Sequence, residues 1–421
     1  MLCNKESVFL KSVETHNNKV EFFFDISDGL KKYFKTDCFF IEYSEDITLD
    51  NIPKSILTIP FVASLLPLMW LTDSIMWIPE IDETFYHSLS RIKAAYQEIY
   101  DYYPLKGSLI PAYIIKNNLS PQRESLCLFS GGVDAHTTYL RHSNENPLLF
   151  NVQGWYENST RELNAVAEKD LNDILGFSNA QNRDFSFAKS NFANIVDASV
   201  FSKTIKKRLK DSWWHGFQHS MAFISIAIVA CYFYGIKNIY IASSFALGDK
   251  GRCASYPTTD SEFAFAKIGT VVHDGFELSR QDKVQIIVEH QRKTGKPYPL
   301  KVCTFEEENC LICEKCVRTM LAIIAENGDL NNFGFNITTP LYSHFDEAFN
   351  EQNIVFFNVN GESKKHWPYI KKRMLKNYDL IKEKQVVDWF LNYDFNKARK
   401  KALNNYYRKN FFKIIKRKLT K

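Results

Sequence analysis

A chain of 421 residues exceeds most single domains and calls for two or three. Hydrophobic residues make up 45% and charged residues 24%, an ordinary globular composition with ample apolar surface for a core. The net charge of +5 is carried by the C-terminus: residues 397–421 hold eleven Lys or Arg and no Asp or Glu, leaving 42 basic against 48 acidic residues elsewhere.

The opening Met1-Leu2-Cys3-Asn4-Lys5-Glu6 has no basic start followed by an apolar run, so a cytoplasmic protein is expected rather than a secreted one. Two apolar stretches need testing as membrane spans. Ser55 to Leu71 is broken by Pro60 and Pro67, and Ala222 to Phe233 is shorter than the roughly 20 residues a span requires. Both read as buried core elements.

Residues 1–120 read as a separate α+β region: short aromatic and β-branched runs (Val20 to Phe24, Cys38 to Ile41), then the Pro-punctuated stretch, then a helical pattern from Asp82 to Tyr103. From Glu124 strands alternate with helices, the signature of a parallel sheet covered on both faces. Ser125 to Phe129 reads as a buried strand and Ala135 to His142 as the helix after it. Leu148 to Val152 is a second strand, followed by a helix over 159–175 that stops at Gly176. Asp184 to Phe187 is a third. A long helix from Asp211 to Tyr234 ends at Gly235, suited to a C-cap. Ile239 to Ala242 and Thr270 to Val272 are the fourth and fifth strands, and Ser279 caps a helix reaching Arg292. The expected division is 1–120, a doubly wound α/β domain over 121–330, and a helical extension over 331–421. Right-handed crossovers put every strand-to-helix loop at one end of the sheet.

Ser130-Gly131-Gly132-Val133-Asp134 lies between the first strand and its helix. Two glycines let the backbone approach a phosphate, and the N–H groups with the helix N-terminus behind them form an anion cradle. Ser130 adds a hydroxyl donor, and Asp134 suits the orientation of Mg²⁺ or of the loop. The Gly-Lys-Ser/Thr ending of a Walker loop and the three-glycine spacing of a dinucleotide turn are both missing. Cys303, Cys310, Cys313 and Cys316 read C-x6-C-x2-C-x2-C, the donor set of a closed structural Zn²⁺ site, with a four-iron cluster as the other option. Lys301, Lys315 and Arg318 lie close enough in sequence to offset its charge.

The loop resembles the Ser-Gly-Gly-x-Asp-Ser motif of the PP-loop ATP pyrophosphatases, in which it holds the pyrophosphate half of ATP. Combined with the cysteine cluster, the stretch 124–325 resembles the 7-cyano-7-deazaguanine synthase family, whose cysteines hold structural zinc. Tyr256-Pro257-Thr258-Thr259-Asp260, followed by Glu262-Phe263, is similar to that family's Tyr-Pro-Asp-Cys-Arg-x-Glu-Phe segment, with Thr259 and Ser261 replacing its Cys and Arg. The family's Arg-Asn segment is not evident in Trp213 to His219. Ala135 stands where the family has Ser or Thr, so one hydroxyl is missing unless Thr137 or Thr138 supplies it. His136 is a further candidate, although a histidine on a helix surface is as readily incidental there.

The resemblance implies a Rossmann-like sheet of PP-loop type and an enzyme that adenylates a carboxylate with ATP and Mg²⁺, releasing pyrophosphate before an amine attacks. It casts Asp134, Lys283 and Arg280 in catalytic roles, although a solvated basic face would give the same Arg280–Lys283 pair. By topology Gln153, Ser243 and Ser244 join Ser130 to Asp134 at the nucleotide. A nucleotide sensor on the same fold is one alternative, and a sugar-directed amidotransferase of surface-polysaccharide synthesis is another. Tyr406-Tyr407, Phe411-Phe412 and Ile414-Ile415 interleave with Lys and Arg, as in a helix lying on an anionic membrane surface, here the inner face, with RNA as the other partner for the tail. A homodimer is the remaining expected partner.

Overall fold

The computed structural model describes residues 5–154, 161–249, 252–303, 306–351, 363–401, 403–404 and 408. The basic tail beyond 404 therefore lies, except for Arg408, outside the described residues. The chain divides into two compact units, Met1–Glu277 and Leu278–Lys421.

The first unit is built on one eleven-stranded sheet: β1 (Ser7–His16), β2 (Lys19–Ile26), β3 (Cys38–Tyr43), β4 (Ile75–Asp82), β5 (Ser108–Ile115), β6 (Arg123–Leu128), β7 (Leu148–Gln153), β8 (Phe185–Ser190), β9 (Ile236–Ala242), β10 (Ala264–Phe265) and β11 (Gly269–Asp274). Their order is β10-β11-β9-β6-β7-β8-β3-β2-β1-β4-β5. Most pairs are parallel, with antiparallel joins at β1–β2, β2–β3, β3–β8 and β10–β11. The architecture is thus α/β with a mostly parallel sheet. The expected boundary near residue 120 falls inside this sheet: Ile41 to Tyr43 of β3 pair with Ser190 to Ala188 of β8, so residues 1–120 continue the sheet rather than forming a region of their own.

The helices of nine residues or more in this unit are α1 (Ile59–Thr72), α2 (Glu83–Ile99), α3 (Val133–Arg141), α4 (Arg161–Ala180), α5 (Ala198–Leu209) and α6 (His219–Tyr234). Ile59 to Leu71 of α1 are all buried, and α6 is buried on almost every side. Helices apolar all round belong in a core, and these two pack on each other within it. The helical run Trp214–Tyr234 has 21 residues, long and apolar enough to cross a membrane, contrary to the shorter span read from sequence; 78% of an apolar 18-residue stretch within it is buried inside the protein. Gly235 ends it at φ 65°, a left-handed cap that glycine adopts without strain. α4 runs past Gly176 to Ala180, because burial of Phe177 and Ser178 outweighs the roughly 1 kcal/mol glycine penalty.

Asp82 fastens the two ends of this sheet. Its carboxylate caps α2 by accepting from Phe85 N at 2.9 Å. It also accepts from Ala266 N, just past β10, at 3.0 Å, and from Asn117 Nδ2, just past β5, at 3.0 Å. Leu119 N donates to Ala266 O at 3.1 Å alongside.

The second unit contains α7 (Arg280–Thr294), α8 (Glu314–Ala325), α9 (Leu341–Glu351), α10 (Ser363–Lys376) and α11 (Lys384–Asn392). Ser279 and Asp282 cap α7 reciprocally. Arg373 of α10 reaches Asp282 and Glu326, each at 2.8 Å, and joins three helices. Phe349, Trp367, Trp389 and Phe390 form the aromatic core of α9, α10 and α11. The cysteines belong to this unit rather than to the unit of the glycine loop, so the expected 121–330 domain is divided at 277.

Candidate functional site

Leaving aside β10, a two-residue strand antiparallel to β11, the strands β8-β7-β6-β9-β11 are, numbered from β6, 3-2-1-4-5. Connections leave β6 toward one side and return to β9 on the other, which opens a crevice at the C-terminal ends of β6 and β9. Ser130 to Asp134 lie at that crevice. Gly131 takes φ 72°, reversing the chain after Phe129, and Gly132 is the extended N-cap of α3. The first N–H groups of a helix have no partner within it and point outward, here from the end of the loop.

A cavity of about 220 Å³ occupies the crevice. Ser130, Asp134 and Ala135 form one wall, Phe150, Asn151 and Val152 a second, and Ile241, Ala242 and Ser244 a third; His219, Phe223 and Ser255 close it. Asn151 Nδ2 donates to Phe129 O at 2.8 Å and braces the start of the loop.

Several expected contacts lie elsewhere. Gln153 Nε2 donates to Ala167 O of α4 at 2.7 Å, and Gln153 does not line the cavity. Ser243 is buried and donates to Phe245 O at 2.8 Å; Ser244, one residue on, is the serine at the cavity. Thr137 donates to Val133 O at 2.9 Å and Thr138 to Asp274 Oδ2 at 2.8 Å, so neither replaces the hydroxyl missing at Ala135. His136 is no surface residue: it packs edge-on against Phe129 and Phe177, and burial pushes its pKa down to about 3, leaving it neutral. Thr259 and Asp260 are fully buried, Asp260 accepting from Ser255 Oγ at 2.6 Å. Arg280 and Lys283 lie in the first turn of α7 in the second unit. Lys283 is buried and Arg280 half-buried, so the pair is not a solvated basic face.

Asn151, His219, Phe223 and Ser255 escaped the sequence reading. For His219 there was one signal, a histidine opening an otherwise apolar helix.

Asp274, at the end of β11, ties that strand to α3. It accepts from Thr138, and His142 Nε2 and Arg141 Nε both approach it at 3.2 Å. His142 also directs Nδ1 to Glu145 at 3.0 Å and stacks on Tyr240 with ring centres 3.7 Å apart. Burial alone would raise the Asp274 pKa, but the bonds from His142 and Thr138 and the Arg141 charge hold it below the usual carboxylate range. Burial would likewise lower the pKa of His142, yet its two carboxylate partners raise it. The depressed carboxylate contributes stability above about pH 4, lost as pH falls through its folded value. The raised histidine contributes stability below about pH 6.5, lost as pH rises through its folded value. Urea midpoints of wild type and His142→Gln should therefore differ more at pH 5.5 than at pH 8.5, by under about 1 kcal/mol after solvent screening. Equal differences at both pH values would mean that the histidine charge does not contribute.

In the second unit, the sulfurs of Cys303, Cys310, Cys313 and Cys316 all lie within 4.8 Å of one another. Leu311 takes φ 62° to fold the knuckle, and Cys310 Sγ accepts from Cys313 N at 3.3 Å. Asn309 accepts from Val302 N and Cys303 N and donates to Leu300 O, fixing one arm against the other. Cys313 occupies the N-cap position of α8, and a hydrogen bond from Cys316 holds its thiol pKa below the usual thiol range. Of the expected counter-charges, Lys301 donates to the Cys303 and Glu306 carbonyls, and Arg318 pairs with Glu314 at 3.3 Å. This cluster can bind a metal ion.

The chain matches no protein-family model, no curated protein and no solved structure. Its functional reading therefore rests on the two sites themselves.

Proposed function

We propose that this chain is a PP-loop-type ATP pyrophosphatase that adenylates a substrate carboxylate and passes the activated acyl group to an amine. The observation carrying this reading is the position of the Ser130–Asp134 loop. It follows the first strand of a 3-2-1-4-5 arrangement, at the switch point, and forms one wall of the cavity there. In this reading the loop N–H groups and the N-terminus of α3 receive the departing pyrophosphate, with Ser130 as a hydroxyl donor. Asp134 would hold Mg²⁺, which when bound offsets the phosphate charge. Ser244 and Ser255 offer polar contacts to the rest of the nucleotide or to the acyl substrate. Arg280 and Lys283 enter only through the family resemblance.

Zinc is the metal proposed for the cysteines. A tetrahedral ion with bonds of about 2.3 Å sets its sulfurs about 3.8 Å apart, and Cys310 and Cys316 stand 3.9 Å apart. A four-iron cluster binds each cysteine to a separate iron and would hold the sulfurs farther apart.

Incubated with ATP, Mg²⁺ and a cell extract as carboxylate source, the protein should yield AMP and pyrophosphate, not ADP and phosphate. Asp134→Ala should lower the rate about 10²–10³-fold. Ser130→Ala should cost the roughly 1.5–3 kcal/mol of a hydrogen bond to a charged group. Ala135 favours a second reading, a nucleotide sensor, because no neighbouring threonine restores its missing hydroxyl. ATP binding without pyrophosphate from any extract would replace the enzyme with the sensor.

A further inference from the structure

Across the cavity from no single strand, but at the start of α6, a second piece of chemistry is assembled. His219 lines the cavity, and its Nδ1 lies 2.9 Å from the Trp214 carbonyl. The π-helical turn Trp214–Gln218 makes this reach possible, since the wide turn also brings the His219 backbone N–H to the same oxygen. A carbonyl only accepts, so Nδ1 carries the proton, and Nε2 of the neutral ring carries the lone pair. Nε2 faces Cys253 Sγ at 3.9 Å. The rings of Trp214 and Phe223, with centres 5.7 and 6.4 Å from that of His219, restrict its rotation. Burial lowers the pKa of His219 and favours the neutral ring.

A thiol, an imidazole with its lone pair toward the sulfur and an acceptor that fixes the tautomer are the parts of thiol-based nucleophilic catalysis. We infer that Cys253 and His219 form a thiol–imidazole pair that takes the activated acyl group from the adenylate onto sulfur, a role that rests on the adenylation reading above. His219 Nε2 receives the thiol proton, and the thiolate attacks the acyl carbon. A C–S bond forms, the acyl C–O bond to phosphorus breaks, and AMP leaves with the electron pair. The amine then attacks the thioester and loses a proton to water, giving the amide. His219 returns its proton to the departing thiolate, and no oxidant or reductant is needed.

Cys253 is only 3% exposed. Its sulfur lies between two acceptors, the Ser255 carbonyl at 3.0 Å, to which its one proton is directed here, and His219 Nε2 at 3.9 Å, to which a rotation of the S–H turns that proton; His219 and Ser255 both line the cavity. Cys253 is not itself on the cavity lining, so the acyl group must reach its sulfur past His219 and Ser255. Cys127 and Cys231 are fully buried, and burial raises both their thiol pKa values, which makes them references for an unactivated thiol.

The test is alkylation of the full chain by iodoacetamide, followed cysteine by cysteine with peptide mass spectrometry. Cys253 should react roughly tenfold or more faster than Cys127 and Cys231, and His219→Gln should remove most of that advantage. Unchanged protection of Cys231 reports that the variant is folded. In the unaltered chain, ATP with Mg²⁺ should slow Cys253 alone, an expectation that needs no variant. Labelling of Cys253 no faster than the controls overturns the pair, as does fast labelling unaffected by His219→Gln in folded protein. Fast, His219-dependent labelling without any pyrophosphate production upholds the reactive pair and overturns its acyl-transfer role.

Discussion

Protein purified without chelator should carry close to one zinc ion per chain, and stripping it should unfold much of residues 278–421 while the sheet of residues 1–277 persists. The four thiols tie the segment around Cys303 and the Cys310–Cys313 knuckle to the first turn of α8. From Cys316 to Ala325 every residue of that helix is buried, so its placement organises the core of the unit. Zinc binding to such a site contributes about 10–16 kcal/mol of apparent folding free energy. A whole domain is stable by only about 5–15 kcal/mol, so the unit has no reserve to replace the metal. Cys316→Ser should reproduce the loss, since Cys316 is the buried ligand on the helix. Elemental analysis measures the ion, and amide hydrogen exchange measures the unfolding region by region. Metal-free protein with undiminished protection in α8 would remove the structural role, and iron in place of zinc would change the identity of the site.

Asp82→Ala should cost about 3–6 kcal/mol, much more than the loss of an ordinary helix cap. Three donors converge on this fully buried carboxylate, from Phe85, Ala266 and Asn117. Deleting the acceptor strands all three, at about 1–3 kcal/mol for each buried group left without a partner. An N-cap alone is worth roughly 1 kcal/mol. Asp82→Asn separates the contributions: an amide oxygen in the place of Oδ2 can still accept from both Phe85 N and Ala266 N, while its NH₂ in the place of Oδ1 faces the Asn117 amide donor. It should fall between wild type and alanine. Denaturant midpoints with unchanged slopes measure the series, and a cost below about 1 kcal/mol for alanine would show that the carboxylate caps α2 and does nothing more.

The five parallel strands from Arg123 to Asp274 were legible because parallel strands covered on both faces read as short apolar runs between turn signals, whereas the two-residue antiparallel β10 was not. The cysteine spacing was legible because a tetrahedral ion needs four soft donors in a tight turn. Membership of residues 1–120 in the same sheet was not, since nothing near Ile41 specifies Ser190 as its partner 149 positions away. Side chains at the strand ends failed for a geometric reason: successive residues point to opposite sides, so Ser243 and Ser244 exchange roles with a shift of one. Gln153 shares the side of Asn151 but is taken by the Ala167 carbonyl, a contact with a helix that no local pattern encodes. His136 looked like a surface group because the packing of Phe177 over it comes from a different helix.

Sheet order also sets a timetable for synthesis. β1, β2 and β3 can pair with one another early, but β3 must wait for β8, and the fastening of Asp82 must wait for Ala266. At about 5–20 residues per second, Ser190 leaves the ribosome roughly 7–30 s after Tyr43. For that interval an aromatic-rich sheet has an open edge at β3 while the buried faces of α1 have no α6 to pack on. Such an edge invites pairing with other chains. The nascent chain is thus expected to occupy a chaperone until β8 and then α6, which ends at Tyr234, have been made. A recombinant fragment beginning at residue 121 would expose the matching edge of β8 permanently, and its insolubility would follow from the missing neighbour rather than from any fault in the Ser130–Asp134 loop.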